Sequence, residues 1–121
     1  MPDTSIVGID IDAEPERVRA DVVKFVREAS ELLDVPFAAR VEVVAGHAGP
    51  AYGVPHDATI EAIRLAGRLE ALALDPVYSG KGLAGLIALI RRGRWRKDED
   101  VIFLHTGGAP ALFAYQSALN I

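Results

Sequence analysis

The side chains that could do chemistry in this 121-residue sequence are few, and their spacing excludes several reactions at once. The three histidines, His47, His56 and His105, form neither an HxxxH nor an HExxH pattern, and no carboxylate stands at a ligand spacing. A metal site is therefore not expected, and histidines in turns or at the edge of a core are the plain expectation. There is no cysteine, so thiolate ligands, a cysteine nucleophile and a disulfide framework are all excluded. GxSxG and Walker A patterns are absent. What remains is a short set. Thr106-Gly107-Gly108, placed before a helix, could offer backbone N–H groups and a hydroxyl to a polar ligand, although a glycine turn before a helix is commonly only a turn. Asp75-Pro76-Val77-Tyr78 reads first as the start of a helix, with Tyr78 filling the core. Lys81 could act as an imine-forming amine, yet a lysine in the first turn of a helix is usually solvated. On spacing alone these residues define a soluble α/β domain and no reaction.

The elements that must position them alternate. Ile6 to Ile11 reads as a strand, with Gly8 marking close approach of another backbone. Pro15 suits a first helical turn, and Val18, Val22, Phe25, Val26, Ala29, Leu32 and Leu33 then recur at helical spacing, the clearest amphipathic pattern in the chain. Pro36 closes it. Arg40 to Ala45 alternates and favours a strand or an extended connection. Gly46 to Asp57, rich in glycine and proline around Tyr52, reads as a loop, and loops on rigid scaffolds often hold function. Asp57 is expected to cap a second helix. Its polar stripe, Glu61, Arg64 and Arg68, is narrow enough to predict that the helix is mostly buried. Leu72-Ala73-Leu74 and Val101-Ile102-Phe103-Leu104 read as further apolar strands. Between them Gly80 to Ile90 reads as a helix that stops at Gly93, and a last short helix follows Pro110.

This alternation predicts an α/β fold with three layers, a mostly parallel sheet with helices on both faces, and ligands at the carboxyl ends of the strands. Those ends are Asp75 to Gly80 and His105 to Pro110, with the Gly46–Asp57 loop beside them. One domain over residues 1–121 is expected from length. Thirteen basic against 17 acidic residues give a formal charge of -4, which excludes a strongly basic nucleic-acid footprint. No apolar run is long enough for a membrane span, the N-terminus lacks the basic region of a signal peptide, and the cysteine-free composition permits the reducing cytoplasm, the compartment expected.

Three stretches together change this picture: Gly49-Pro50-Ala51-Tyr52-Gly53-Val54-Pro55, Leu74-Asp75-Pro76-Val77-Tyr78-Ser79-Gly80-Lys81, and Phe103-Leu104-His105-Thr106-Gly107-Gly108-Ala109-Pro110-Ala111-Leu112-Phe113. In order and spacing the sequence resembles the C-terminal portion of the D-cysteine desulfhydrase / 1-aminocyclopropane-1-carboxylate deaminase family, pyridoxal-phosphate enzymes of the tryptophan-synthase-β-like fold. The resemblance implies pyridoxal 5'-phosphate as cofactor and a small amino acid as substrate. It implies that Tyr52 and Tyr78 flank the cofactor ring and substrate as catalytic phenols. It implies that Thr106 faces the pyridine nitrogen, and that Ser79, Gly107 and Gly108 lie on the cofactor side. Ser79 stands where deaminases of the family carry a glutamate and desulfhydrases a threonine. That small hydroxyl tilts the expectation away from cyclopropane ring opening and toward β-elimination from a D-amino acid. The family's Schiff-base lysine and its phosphate-binding loop match nothing here. Of the lysines, Lys24, Lys81 and Lys97, none matches the catalytic position, and Lys81 aligns with a different lysine of the motif.

The expectation is a piece of an active site, inert alone for lack of that lysine and phosphate loop. Either a second polypeptide supplies both, or the chain is a truncated relic, or it is a non-catalytic α/β module that binds a partner or small ligand. Apolar faces left uncovered by such a cut predict a homo-oligomer or docking to the missing half. No nucleic-acid or membrane partner is expected.

Overall fold

The computed structural model describes residues 5–11, 14–36 and 40–119. The chain opens with strand β1 (Ile6–Ile9), helix α1 (Pro15–Leu33) and strand β2 (Val41–Val44), in which β2 lies parallel to β1 with Ile6 opposite Val41 and Ile9 opposite Val44. A parallel neighbour requires a crossover, and α1 is that crossover. The Asp10 amide donates to the Val44 carbonyl at 2.9 Å and extends the ladder one step. α1 starts as its sequence predicts, with Pro15 in the first turn and Glu16 at the positive end of the helix dipole. It ends where Asp34 turns left-handed (φ 51°) and the Val35 amide closes back on the Ser30 carbonyl at 3.1 Å, ahead of Pro36.

Helices α2 (Asp57–Glu70) and α3 (Ser79–Arg91) follow, then a 3-10 helix (Ala109–Tyr115) that runs into the short helix α4 (Gln116–Leu119). α3 packs along α2 and also meets β1, and its small residues allow both approaches. A Cβ on Gly80 would stand 2.9 Å from the Ile63 side chain, and one on Gly85 would stand 2.7 Å from that of Ile9. The core is a cluster of Ile63, Ala66, Leu74 and Leu119, with Ile60, Leu83, Phe103, Leu112 and Tyr115 packed around it. Removing the side chains of Ile63 and Leu74 from water contributes on the order of 2 kcal/mol each.

Four expectations are corrected. Leu72–Leu74 and Val101–Leu104 are not strands: the ladder among the described residues holds β1 and β2 alone. A strand exists only where another strand meets its backbone groups, so an apolar run without a partner stays irregular. Ile102 and Leu104 instead project outward, 87% and 80% exposed. α2 is not mostly buried; Thr59, Ala62, Ile63 and Ala66 line its covered face while Leu65 and Leu69 are exposed. Asp57 lies inside α2 rather than capping it, and the cap position belongs to His56 without a side-chain cap hydrogen bond. α1 buries no residue at all, although its pattern is the clearest in the sequence.

Candidate active-site wall

The loop between α2 and α3 is built around Asp75, which has no exposed surface. Its Oδ2 accepts the amides of Val77 at 2.8 Å and Tyr78 at 2.7 Å, while Oδ1 accepts the amide of Ser79 at 2.9 Å and its hydroxyl at 2.6 Å. The Asp75 amide in turn donates to Ser79 Oγ at 2.9 Å. Asp-Pro before a helix produces this geometry because the carboxylate satisfies the first orphan amides of the helix while proline needs none satisfied. Burial pushes the Asp75 carboxyl up, but the hydrogen bonds from the Ser79 hydroxyl and from the amides of Ser79, Tyr78 and Val77 prevail and hold it below the usual carboxylate range.

This clamp throws Tyr78 outward. Tyr78 does not fill the core; it is 43% exposed, and its hydroxyl is hydrogen-bonded to that of Tyr52. The two rings meet edge to face with centroids 6.0 Å apart. The Tyr52 loop is a tight turn closed by Ala51 and Val54. Tyr115 pins it by donating from its phenol to the Gly53 carbonyl at 2.8 Å. Thr106-Gly107-Gly108 approaches the same clamp. Gly107 and Gly108 both have positive φ, 116° and 97°, and a Cβ on Gly108 would stand 2.8 Å from Asp75 Cγ. Only glycine lets that turn close onto the carboxylate that holds Tyr78.

The structure therefore joins the segments of Tyr52, Tyr78 and Thr106 in one loop cluster, with the two phenols in direct contact. Gly107 and Gly108 shape the third segment. Ser79 is buried and its hydroxyl is committed to Asp75 in both directions, so it holds the loop from within. Lys81 overturns the expectation of a solvated helix lysine: it is 0% exposed, and its ammonium donates to the carbonyls of Ala48, of Ile11 at 3.3 Å and of Ala51 at 3.4 Å. Sequence reasoning missed the roles of Asp75 and Tyr115; for Asp75 the helix-start signal Asp-Pro was present but read only as secondary structure. It also passed over two buried ring nitrogens, His47 Nδ1 and His105 Nε2, which have no hydrogen-bond partner among the described residues. Burial first, then the electrostatic influence of His56 and Arg92, lowers the His47 pKa. No group of histidines and carboxylates among the described residues could hold a metal ion, and no helix there is long and apolar enough to cross a membrane.

The sequence profile of the family described as "pyridoxal-phosphate dependent enzyme" matches residues 1–107. The 1-aminocyclopropane-1-carboxylate deaminase of Burkholderia vietnamiensis is 45% identical over 113 residues, which cover 91% of this chain and 33% of that enzyme. The deaminase of the same name from Pseudomonas syringae pv. syringae is 41% identical over 113 residues, with the same coverage of 91% and 33%. The crystal structure of an ACC deaminase homologue superposes with a TM-score of 0.86 at 34% identity, covering 98% of this chain and 35% of the other. The chain thus spans about a third of the length of the proteins it matches.

Proposed function

The chain belongs to the pyridoxal-phosphate dependent enzyme family, with a tryptophan-synthase-β-like α/β fold, and on that premise we propose that it forms one wall of a pyridoxal-phosphate pocket acting on a small amino acid. The observation that carries this reading is the phenol pair: Tyr52 and Tyr78 lie 26 positions apart, yet their hydroxyls share a hydrogen bond. Two further features fit the cofactor. The Thr106 turn opens at Gly107, where a Cβ would meet nothing within 4 Å. Beside it His105 Nε2 is a buried polar atom with no partner among the described residues. Bound cofactor supplies an electron sink for the carbon that carries the amino group.

The chain's own residues then divide the remaining work. Tyr52 and Tyr78 orient the substrate, and because their hydroxyls are hydrogen-bonded, a proton accepted at one oxygen can pass to the other without a water between them. Thr106 would offer a bound cofactor's pyridine nitrogen a neutral hydroxyl rather than a carboxylate, which would favour its unprotonated form. Gly107 and Gly108 keep the turn free of side chains, and Ser79 holds the loop that presents Tyr78. The lysine that carries the cofactor and the loop that binds its phosphate come from outside these 121 residues, from a second polypeptide or another part of a longer one. Lys81 cannot substitute, because it is fully buried and its ammonium is bound, among the described residues, to three carbonyls. The chain alone is therefore inert. The reaction is deamination or β-elimination, and Ser79, which brings no carboxylate, favours β-elimination from a D-amino acid. A cysteine-free enzyme of this kind suits the reducing cytoplasm.

A chimera tests the reading. In the B. vietnamiensis deaminase, the matching third is replaced by this chain. The expected product binds pyridoxal phosphate and releases sulfide from D-cysteine faster than ammonia from 1-aminocyclopropane-1-carboxylate, and Tyr78→Phe lowers the turnover at least tenfold. A folded, cofactor-loaded chimera that turns over neither substrate refutes it. So does a lysine of the isolated chain that becomes labelled by pyridoxal phosphate and borohydride with turnover.

A further inference from the structure

We propose that Lys81 is a positioning residue that sets the Tyr52–Tyr78 pair, its ammonium donating, among the described residues, to three backbone carbonyls. Lys81 stands three residues after Tyr78, at the start of α3. Its Nζ reaches the carbonyls of Ile11, beyond β1, of Ala48, and of Ala51, the first residue of the turn that bears Tyr52. One end of the side chain is thus fixed to the helix that carries one phenol, and the other end is fixed one residue from the second phenol.

A helix-stabilising role does not account for this lysine. A cation near the N-terminus of a helix opposes the helix dipole, and α3 has no acidic residue in its first turn to offset it. Full burial of an ammonium is costly unless oxygen acceptors replace water, and here backbone carbonyls do so. Such a charge is retained for the segments it draws together, and the segments are those of Tyr52 and Tyr78. The catalytic meaning of this role rests on the two phenols lining the pocket proposed for them; the geometry it predicts does not.

Fluorotyrosine labelling reads that geometry without any turnover. The chain has three tyrosines, so fluorine NMR gives three assignable resonances. In the native chain Tyr52→Phe should shift the Tyr78 resonance, and Tyr78→Phe that of Tyr52. Lys81→Met should abolish this mutual effect while far-ultraviolet circular dichroism remains native. Because the sequence contains no cysteine, Lys81→Cys offers a second route. Alkylated in denaturant with 2-bromoethylamine and refolded, it regains an ammonium at the length of lysine; alkylated with 1-bromopropane, it gains the same length without charge. The aminoethyl form should restore the mutual shift and the propyl form should not. If Lys81→Met fails to fold, this alkylated pair decides. A mutual shift that survives in the methionine or propyl form, or that returns in neither alkylated form, overturns the proposal, as does its absence from the native chain. A chimera without turnover in which the mutual shift persists would instead remove the pocket reading and leave the role of Lys81 standing.

Discussion

Asp75 illustrates how one side chain can decide the shape of a loop cluster. It accepts four hydrogen bonds, from three amides and a hydroxyl, and supports the Gly108 turn on its outer edge. Asp75→Asn keeps the size but turns an NH2 toward donors, so buried amides lose their acceptor. The expected cost is about 2 kcal/mol in urea unfolding at neutral pH. The pH dependence follows from the lowered carboxyl. An unfolded aspartate protonates near pH 4, above the folded value, so the stabilisation is complete above that pH and is lost as pH falls through the folded pKa. Stability of the native chain should therefore decline on acidification below about pH 4, and the asparagine variant should lack this component. Equal stability and equal acid slopes in the two proteins would deny Asp75 the role. At this scale the resemblance brought Tyr52 and Tyr78 to notice, whereas the burial of Lys81 and its long-range contacts stayed hidden. Its three acceptors lie 70, 33 and 30 positions away, and contacts of that separation leave no mark on local periodicity.

Helices were legible because their pattern is internal to a short window. α1 and α3 fall within about two residues of their predicted spans, and β1 and β2 begin within a residue of theirs. The two remaining apolar runs were not legible as what they are, since a strand is completed by a partner that its own sequence does not contain. α3 adds a subtler signal, its run of Gly80, Gly82 and Gly85, which permits close packing but resembles helix weakening. The two meanings separate experimentally. Gly85→Ala forces a methyl into the Ile9 side chain and should cost about 1–3 kcal/mol by overpacking. Gly67→Ala in α2, where a Cβ meets nothing within 4 Å, should gain about 0.5–1 kcal/mol from helix propensity alone. Thermal or urea unfolding of both variants checks the contrast, and a stabilising Gly85→Ala would show that α3 does not press on β1 as described.

At the scale of the whole molecule, the largest imbalance is α1. Its hydrophobic stripe meets β2 along one edge, yet Phe25, Leu32 and Leu33 are 63%, 85% and 68% exposed, and Ile102 and Leu104 add apolar surface elsewhere. Single exposed apolar residues are ordinary on a protein surface, but three on one helix face, in a chain that spans about a third of its relatives, argue for a covering partner. We infer that in the absence of other polypeptides this cover is a second copy. The chain should sediment as a dimer or larger species at high concentration and dissociate on dilution. Phe25→Asp with Leu32→Asp should shift it toward monomer while leaving the unfolding free energy at low concentration within about 0.5 kcal/mol, because those side chains support little within one copy. The same double variant should weaken docking to any polypeptide that supplies the rest of the pocket and uses this face. A native chain that remains monomeric at every concentration would assign the exposed stripe no role in association.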